Sequence, residues 1–183
     1  MKRILSITGF ICFLSLSLNA QVFVTKNGLV HIFSKTTMEN VEAKNNQVNC
    51  AYDVKTTNLV FKVLVKSFVF ERALMQEHFN ENYMESDKFP SANFTGKVTN
   101  ASDINFAKDG IYKATVEGNL VIHGVTKKVT EQGTFEVKGD KIMLKSKFAV
   151  VYADFNIKIP AAVAKSFTES IDVNVDLSMD KMK

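Results

Sequence analysis

The chain is short of the residues that most often mark chemistry or divide domains. In 183 residues it has no tryptophan, two prolines, two cysteines and three histidines. Cys12 lies in an apolar N-terminal stretch, so Cys50 is the one thiol left for the body of the protein. One thiol forms no internal disulfide, and nothing around it has a metal-ligand spacing. It reads as a small apolar packing residue. His31, His78 and His123 are far apart in sequence, and none has a His, Asp or Glu partner at a metal spacing. No Gly-x-Ser-x-Gly, Cys-x-x-Cys, His-Glu-x-x-His or phosphate loop occurs. The expectation is therefore a protein that is not an enzyme and carries no metal or cofactor. No Pro- or Gly-rich linker, internal repeat or low-complexity tract interrupts it.

The N-terminus has the form of a secretory leader. Lys2 and Arg3 precede an apolar stretch, Ile4 to Leu18, and Asn19-Ala20 offers a small residue for cleavage before Gln21. The stretch falls short of the roughly 20 residues that span a bilayer, so no stable membrane span is expected. The reading is a signal peptide over 1–20, one domain over 21–183, and export to the periplasm or beyond. Removing the leader takes two of the 23 basic residues and none of the 19 acids. A net charge of about +2, with both signs interspersed, argues against a nucleic-acid surface. The oligomeric state is left open, with a homodimer among the options.

The dominant pattern after the leader is alternation, the period of a half-buried strand. Phe61, Val63 and Val65 alternate with Lys62 and Lys66. Ala92, Phe94, Gly96 and Val98 alternate with Asn93, Thr95 and Lys97. Tyr112, Ala114, Val116, Gly118, Leu120 and Ile122 share one face of 112–122. Val129, Phe135 and Val137 oppose Lys128, Gln132, Thr134 and Glu136. Runs at 142–150 and 171–179 repeat the pattern. Residues 22–26 and 28–34 are expected as the first strands, with Asn27-Gly28 as the turn between them. Asp109-Gly110, His123-Gly124 and Lys138-Gly139-Asp140 are further hairpin signals.

So many antiparallel strands leave two open edges unless the sheet closes. An eight-stranded barrel closes it around an interior of small-ligand size. The fold class is mainly β, a lipocalin-like eight-stranded antiparallel barrel with short α-helices. Two segments depart from period two. Residues 71–84 carry an apolar stripe at helical spacing, and 160–167 begin with Pro160 before an Ala-rich run. Lysines crowd the polar faces, and a narrow barrel has no partners for them inside. The charged faces are therefore expected outside, the reverse of a membrane barrel.

Two segments carry a family resemblance. Phe89-Pro90 with Phe94 follows the helical segment. Some thirty residues on come Gly118, Leu120, Ile122, His123, Gly124, Val125, Thr126 and Lys127. In this order they resemble the YceI-like family of lipid- and polyisoprenoid-binding proteins. One element departs from that family: an Arg-x-x-Phe-Gly motif of many relatives reads here Tyr152-Ala-Asp-Phe-Asn156, so the contact made by its Arg does not carry over. The resemblance implies a barrel that holds a long-chain isoprenoid, quinone-like or fatty-acyl lipid. On that reading Phe61, Val63, Phe94, Val116, Leu120, Ile122, Phe135 and Phe148 line an apolar pocket, closed from the helix side by Phe79 and Tyr83. His123 either fixes a ligand headgroup or bonds nearby backbone as a turn residue, the second being favoured. The alternatives are a barrel filled by its own side chains that binds a partner protein, and a lipid-acting enzyme. Leucine at Ala114 or at Gly118 is the substitution that this reading nominates to block the pocket.

Overall fold

A computed structural model of the chain describes residues 21–37 and 40–182. The leader assigned to residues 1–20 lies outside the described residues. The strands are β1 (Val22–Ser34), β2 (Val41–Asp53), β3 (Asn58–Leu64), β4 (Val69–Phe70), β5 (Ser91–Val98), β6 (Gly110–Ile122), β7 (Val125–Lys138), β8 (Lys141–Val151) and β9 (Ser170–Lys181). The helices are α1 (Ala73–His78) and α2 (Ala161–Ala164). Every ladder is antiparallel. The order β1-β9-β8-β7-β6-β5-β3-β2 returns to β1, so eight strands form a closed ring, and the two-residue β4 attaches to β2. Closure gives each ring strand a neighbour on either side and confines its apolar alternates to the interior.

The charged alternates point outward. On β8 and β9 they form cross-strand ion pairs, Lys141–Asp180 at 3.0 Å, Lys145–Asp176 at 3.5 Å and Lys147–Asp172 at 3.1 Å. Such exposed pairs contribute little each, about 0–1 kcal/mol, but they fix which face meets water. This arrangement is opposite to that of a barrel facing lipid.

One end of the barrel is a floor. Phe23, Tyr52 and Phe135 are almost wholly buried there. Phe106, from the 99–109 connection, folds in against all three, with ring centroids 5.5 Å from Tyr52 and 6.0 Å from Phe135. The described residues begin and end at this floor, where the Met182 N–H donates to the Val22 carbonyl at 2.7 Å. The opposite end is a mouth, covered by residues 65–90 and 152–169.

Four local expectations differ from the structure. Residues 22–34 make one strand rather than two. Asn27 and Gly28 are not among the residues with positive φ, as a two-residue hairpin turn would need. They form instead an irregularity in the register with β2, where a Cβ on Gly28 would run into Leu177. Asp109-Gly110 is likewise no tight turn: it ends the long 99–109 connection, and the Asp109 carboxylate accepts the Gly139 N–H at 2.9 Å. The 71–84 helix is shorter than its stripe suggests. α1 stops at His78 and continues as one π-turn over Phe79–Tyr83, closed by Met84 N–H to the Phe79 carbonyl at 2.9 Å. Pro160 precedes α2 as its cap residue. His123-Gly124, by contrast, is a hairpin turn with φ of 50° and 74°, the left-handed pair that suits the sheet's twist.

Two ladders are incomplete. β2 and β3 pair only from Asn49 to Tyr52. Beyond that, the buried Asn45 bridges them, donating through Nδ2 to the Leu64 carbonyl at 2.9 Å and accepting the Gln47 N–H at 2.8 Å. β7 and β8 pair only between Gly133↔Ser146 and Lys138↔Lys141.

The floor contains an unpaired group. The Tyr52 hydroxyl is buried with no hydrogen-bond partner among the described residues, and burial, aided by Asp53, pushes its pKa up to about 12. Removing an unpaired buried hydroxyl relieves a desolvation penalty of about 1–3 kcal/mol. Tyr52→Phe is therefore expected to leave stability unchanged or raise it by up to about 1 kcal/mol in urea unfolding, where loss of a bonded hydroxyl would lower it. Because the folded pKa lies above the unfolded one, Tyr52 contributes fully below pH 10 and loses its contribution as pH rises toward 12. Tyr52→Phe flattens that alkaline decline.

Candidate functional site

The mouth encloses an apolar cavity of about 290 Å³. Each of its walls comes from a different part of the chain. Ile32 of β1 and Ile171 and Val173 of β9 are inward alternates near the upper rim. Phe68 precedes β4 and Phe70 belongs to it, and Met75, Phe79, Tyr83 and Met84 come from α1 and the π-turn. Val150, Tyr152, Ile157, Ile159 and Phe167 come from the end of β8 and the segment around α2. The aromatic members pack on one another: Phe79 lies 5.5 Å from Phe68 and 4.9 Å from Phe70, and Tyr83 lies 6.1 Å from Phe167. The π-turn matters here, since its extra residue per turn sends Phe79, Tyr83 and Met84 toward the barrel. Such turns recur at functional sites.

A few polar groups interrupt this lining: Thr36, Arg72, His78, Tyr83, Tyr152 and Ser166. Burial raises the pKa of both Tyr83 and Tyr152, so both stay neutral donors in the ordinary range. Ser34, almost fully buried at the rim, meets Thr168 Oγ1 at 2.8 Å. An apolar hollow with a few convergent polar groups is the usual form of a small-molecule site.

A second cavity of about 90 Å³ lies deeper, toward the floor. Along β9 the same inward face serves both: Ile171 and Val173 line the first, Val175 and Leu177 the second. Phe61, Phe94, Val116, Leu120, Phe135 and Phe148 line this deeper space with Cys50, Leu59 and Ala114. Cys50 is buried, and burial pushes its thiol up to about 12. It is a wall group with almost no thiolate at neutral pH.

The sequence-derived site residues thus separate into three places. Six sit around the deeper cavity, and Phe79 and Tyr83 sit at the mouth. Val63 is 4% exposed within the barrel core, Ile122 packs against a second cluster that holds Val65, Met84 and Tyr152, and neither is among the cavity-lining residues. His123 lines neither. Its Nδ1 faces the Phe155 carbonyl at 3.1 Å and its Nε2 faces Glu85 Oε2 at 2.9 Å. Both partners only accept, so both contacts are hydrogen bonds when the ring carries a proton on each nitrogen. The Phe89 ring packs edge-on against it, with centroids 4.5 Å apart, and leaves no room for a Cβ on Gly124. The Phe-Pro and His-Gly segments therefore meet in space, and His123 ties the segment that follows the π-turn, the β6–β7 turn and the 152–155 turn together.

Sequence reasoning passed over Phe68, Phe70, Arg72, Tyr152 and Phe167. Tyr152 had a usable signal: it stands where relatives have the Arg of Arg-x-x-Phe-Gly, and it turns into the mouth cavity. Asn156 replaces the glycine of that motif in the left-handed conformation, φ 54°, which Asn tolerates better than most residues. Among the described residues no cluster of His, Cys, Asp or Glu is placed to hold a metal. No helix among them is long and apolar enough to cross a membrane.

The outer residues give His31 a plain partner, Glu42 at 2.8 Å on the neighbouring strand. Two measurements follow from the inner ones. His123→Ala is expected to lower unfolding stability by about 1–3 kcal/mol, the range for a buried side chain that loses both partners. Glu85→Gln, which keeps an acceptor, should cost less. Cys50 is expected to resist iodoacetamide in the folded protein at neutral pH and to react promptly in denaturant.

Comparison with solved structures gives matches over most of the chain. A polyisoprenoid binding domain from Saccharophagus degradans, implicated in plant cell wall breakdown, is 12% identical with a TM-score of 0.77, covering 89% of this chain and 99% of that one. BcnA of Burkholderia cenocepacia is 15% identical with a TM-score of 0.68, covering 82% and 95%. A YCEI protein of Campylobacter jejuni is 16% identical with a TM-score of 0.61, covering 80% and 88%. At these identities the likeness is one of fold. Comparison with curated proteins gives no match. The family model described as YceI-like domain matches residues 19–179, and the chain belongs to the YceI-like family.

Proposed function

We propose that the protein is an exported carrier or sequestering protein for a long-chain amphiphile, an isoprenoid, quinone-like or fatty-acyl lipid. The chain of the ligand lies in the mouth cavity and runs toward the deeper one, and its polar end stays at the rim near Arg72, His78 and Tyr152. The observation that carries this reading is the apolar mouth cavity of about 290 Å³ above a second cavity on the same inward face of β9. Each methylene taken from water there contributes about 0.8 kcal/mol, so a long chain binds well with few polar contacts. The polyisoprenoid-binding description of the Saccharophagus relative supports the same ligand class. The leader-like residues 1–20 support export. The filled-barrel alternative has support only at the floor, where four aromatic rings leave no space; the mouth is not filled.

Native mass spectrometry of the protein from an exported preparation tests the reading. A defined added mass that extracts as a long-chain lipid is expected. A bare polypeptide that stays bare after incubation with isoprenoid and fatty-acid mixtures would sink it. The structure also chooses between the two blocking substitutions. A Cβ on Gly118 meets the Thr95 carbonyl and the Gly96 backbone, so Gly118→Leu disrupts the β5–β6 ladder and reports on folding. Ala114 lines the deeper cavity. Ala114→Leu is expected to weaken long-chain binding by about tenfold, the equivalent of roughly two methylenes left in water, with the mouth intact and a folded spectrum.

A further inference from the structure

The barrel wall is not continuous around the deeper cavity. β6 and β7 pair along their whole length, from Ile122↔Val125 to Gly110↔Val137, and β8 and β9 pair from Lys141↔Asp180 to Val151↔Ser170. Between β7 and β8 the ladder stops at Gly133↔Ser146. Above that fork, residues 125–132 and 147–151 have no partner strand on their facing sides among the described residues. Had the ladder continued, Glu131 would lie opposite Phe148. The fork has its own fittings. Gly133 sits where a Cβ would meet the Lys145 carbonyl, and the Ser146 hydroxyl donates to the Gln132 carbonyl at 2.7 Å, capping the first carbonyl that the ladder leaves behind. The third side of the gap is the 152–155 turn, held to β7 by Lys127–Asp154 at 3.2 Å and to the β6–β7 turn by His123 at the Phe155 carbonyl.

The deeper cavity reaches this gap. Its lining includes inward residues such as Cys50 and Phe61 and also Gln132 and Thr134, whose alternation places them on the outer side. Glu131 lines it as well, half-buried, with burial raising its carboxyl pKa. The interior below is closed by the aromatic floor. From Ile171 to Leu177, β9 covers six residues, about 20 Å at the strand rise, and a chain longer than this meets Phe135.

We propose that the wall between β7 and β8 is a side exit, through which the tail of a ligand longer than the interior leaves past Phe148, Glu131 and Gln132. The proposal rests on the lipid-cavity reading above and adds its chain-length rule: the barrel accepts chains longer than itself. Phe148 is the inner jamb and Gln132 the outer lip. The ligand class is an unbranched or isoprenoid chain whose head remains at the mouth.

The absence of tryptophan makes the test direct. Gln132→Trp places a single indole on the outer lip. The variant is titrated with ω-bromododecanoate, shorter than the interior, and ω-bromoicosanoate, longer than it, and native mass spectrometry counts the bound molecules independently. The expected result is that both bind and only the longer acid quenches Trp emission through its terminal bromine. Binding of both without quenching, or with equal quenching, overturns the exit and leaves the cavity reading in place. Binding of neither overturns the cavity reading and the exit with it. A second variant, Glu131→Phe, fills the lip. It is expected to weaken ω-bromoicosanoate by about tenfold, as for roughly two methylenes returned to water, and to weaken ω-bromododecanoate by clearly less. Equal effects on both acids count against the exit.

Discussion

Closure of the sheet is the constraint from which the other features of the molecule follow. An open sheet of this length would present two rows of unpaired backbone groups. Joining β1 to both β2 and β9 removes them. Once the ring is closed, alternate residues have no choice of environment, so lysines go out and phenylalanines go in. The ring is too wide for its own side chains to fill evenly. Four aromatic rings fill the floor, and the mouth is left to be roofed by the long connections after β3 and β8.

The parts of this architecture with a short repeat were legible in the sequence. Six of the strands announce themselves by alternation, and the faces assigned to Phe61, Phe94, Leu120 and Phe148 are the inner faces. The closed eight-strand ring was inferred from the number of such runs. What escaped was whatever depends on tertiary context. Asn27-Gly28 is a good hairpin signal by composition, but β2 runs past it on one side and Leu177 presses from the other, so the chain bulges and continues. The helical stripe at 71–84 was seen, whereas the change to a π-turn at Phe79 was not, because the stripe fits either winding. The site was half legible for the same reason. Strand residues could be placed by period, but Phe68, Phe70 and Phe167 reach the mouth from irregular segments that have no period to read.

The two motifs that mark the family prove to be one structural object. Phe89 lies against His123 and over Gly124, and His123 in turn reaches Glu85 and Phe155. Residues separated by more than thirty positions in sequence pin the roof of the mouth to its rim. A histidine beside the mouth cavity thus need not line it: it orients the segments that do. A comparable role falls to the small residues of β5 and β6. Gly96 and Gly118 face each other so closely that the Phe94 ring lies across both, which brings an aromatic side chain flat against the wall.

The two ends of the described chain lie side by side at the floor, Val22 bonded to Met182, with the mouth at the far end of the barrel axis. Whatever is joined to either end hangs from the closed base. A tag, a fused domain or a solid support attached there holds the molecule upright with its opening free, and the same attachment point serves whether it is made before β1 or after β9.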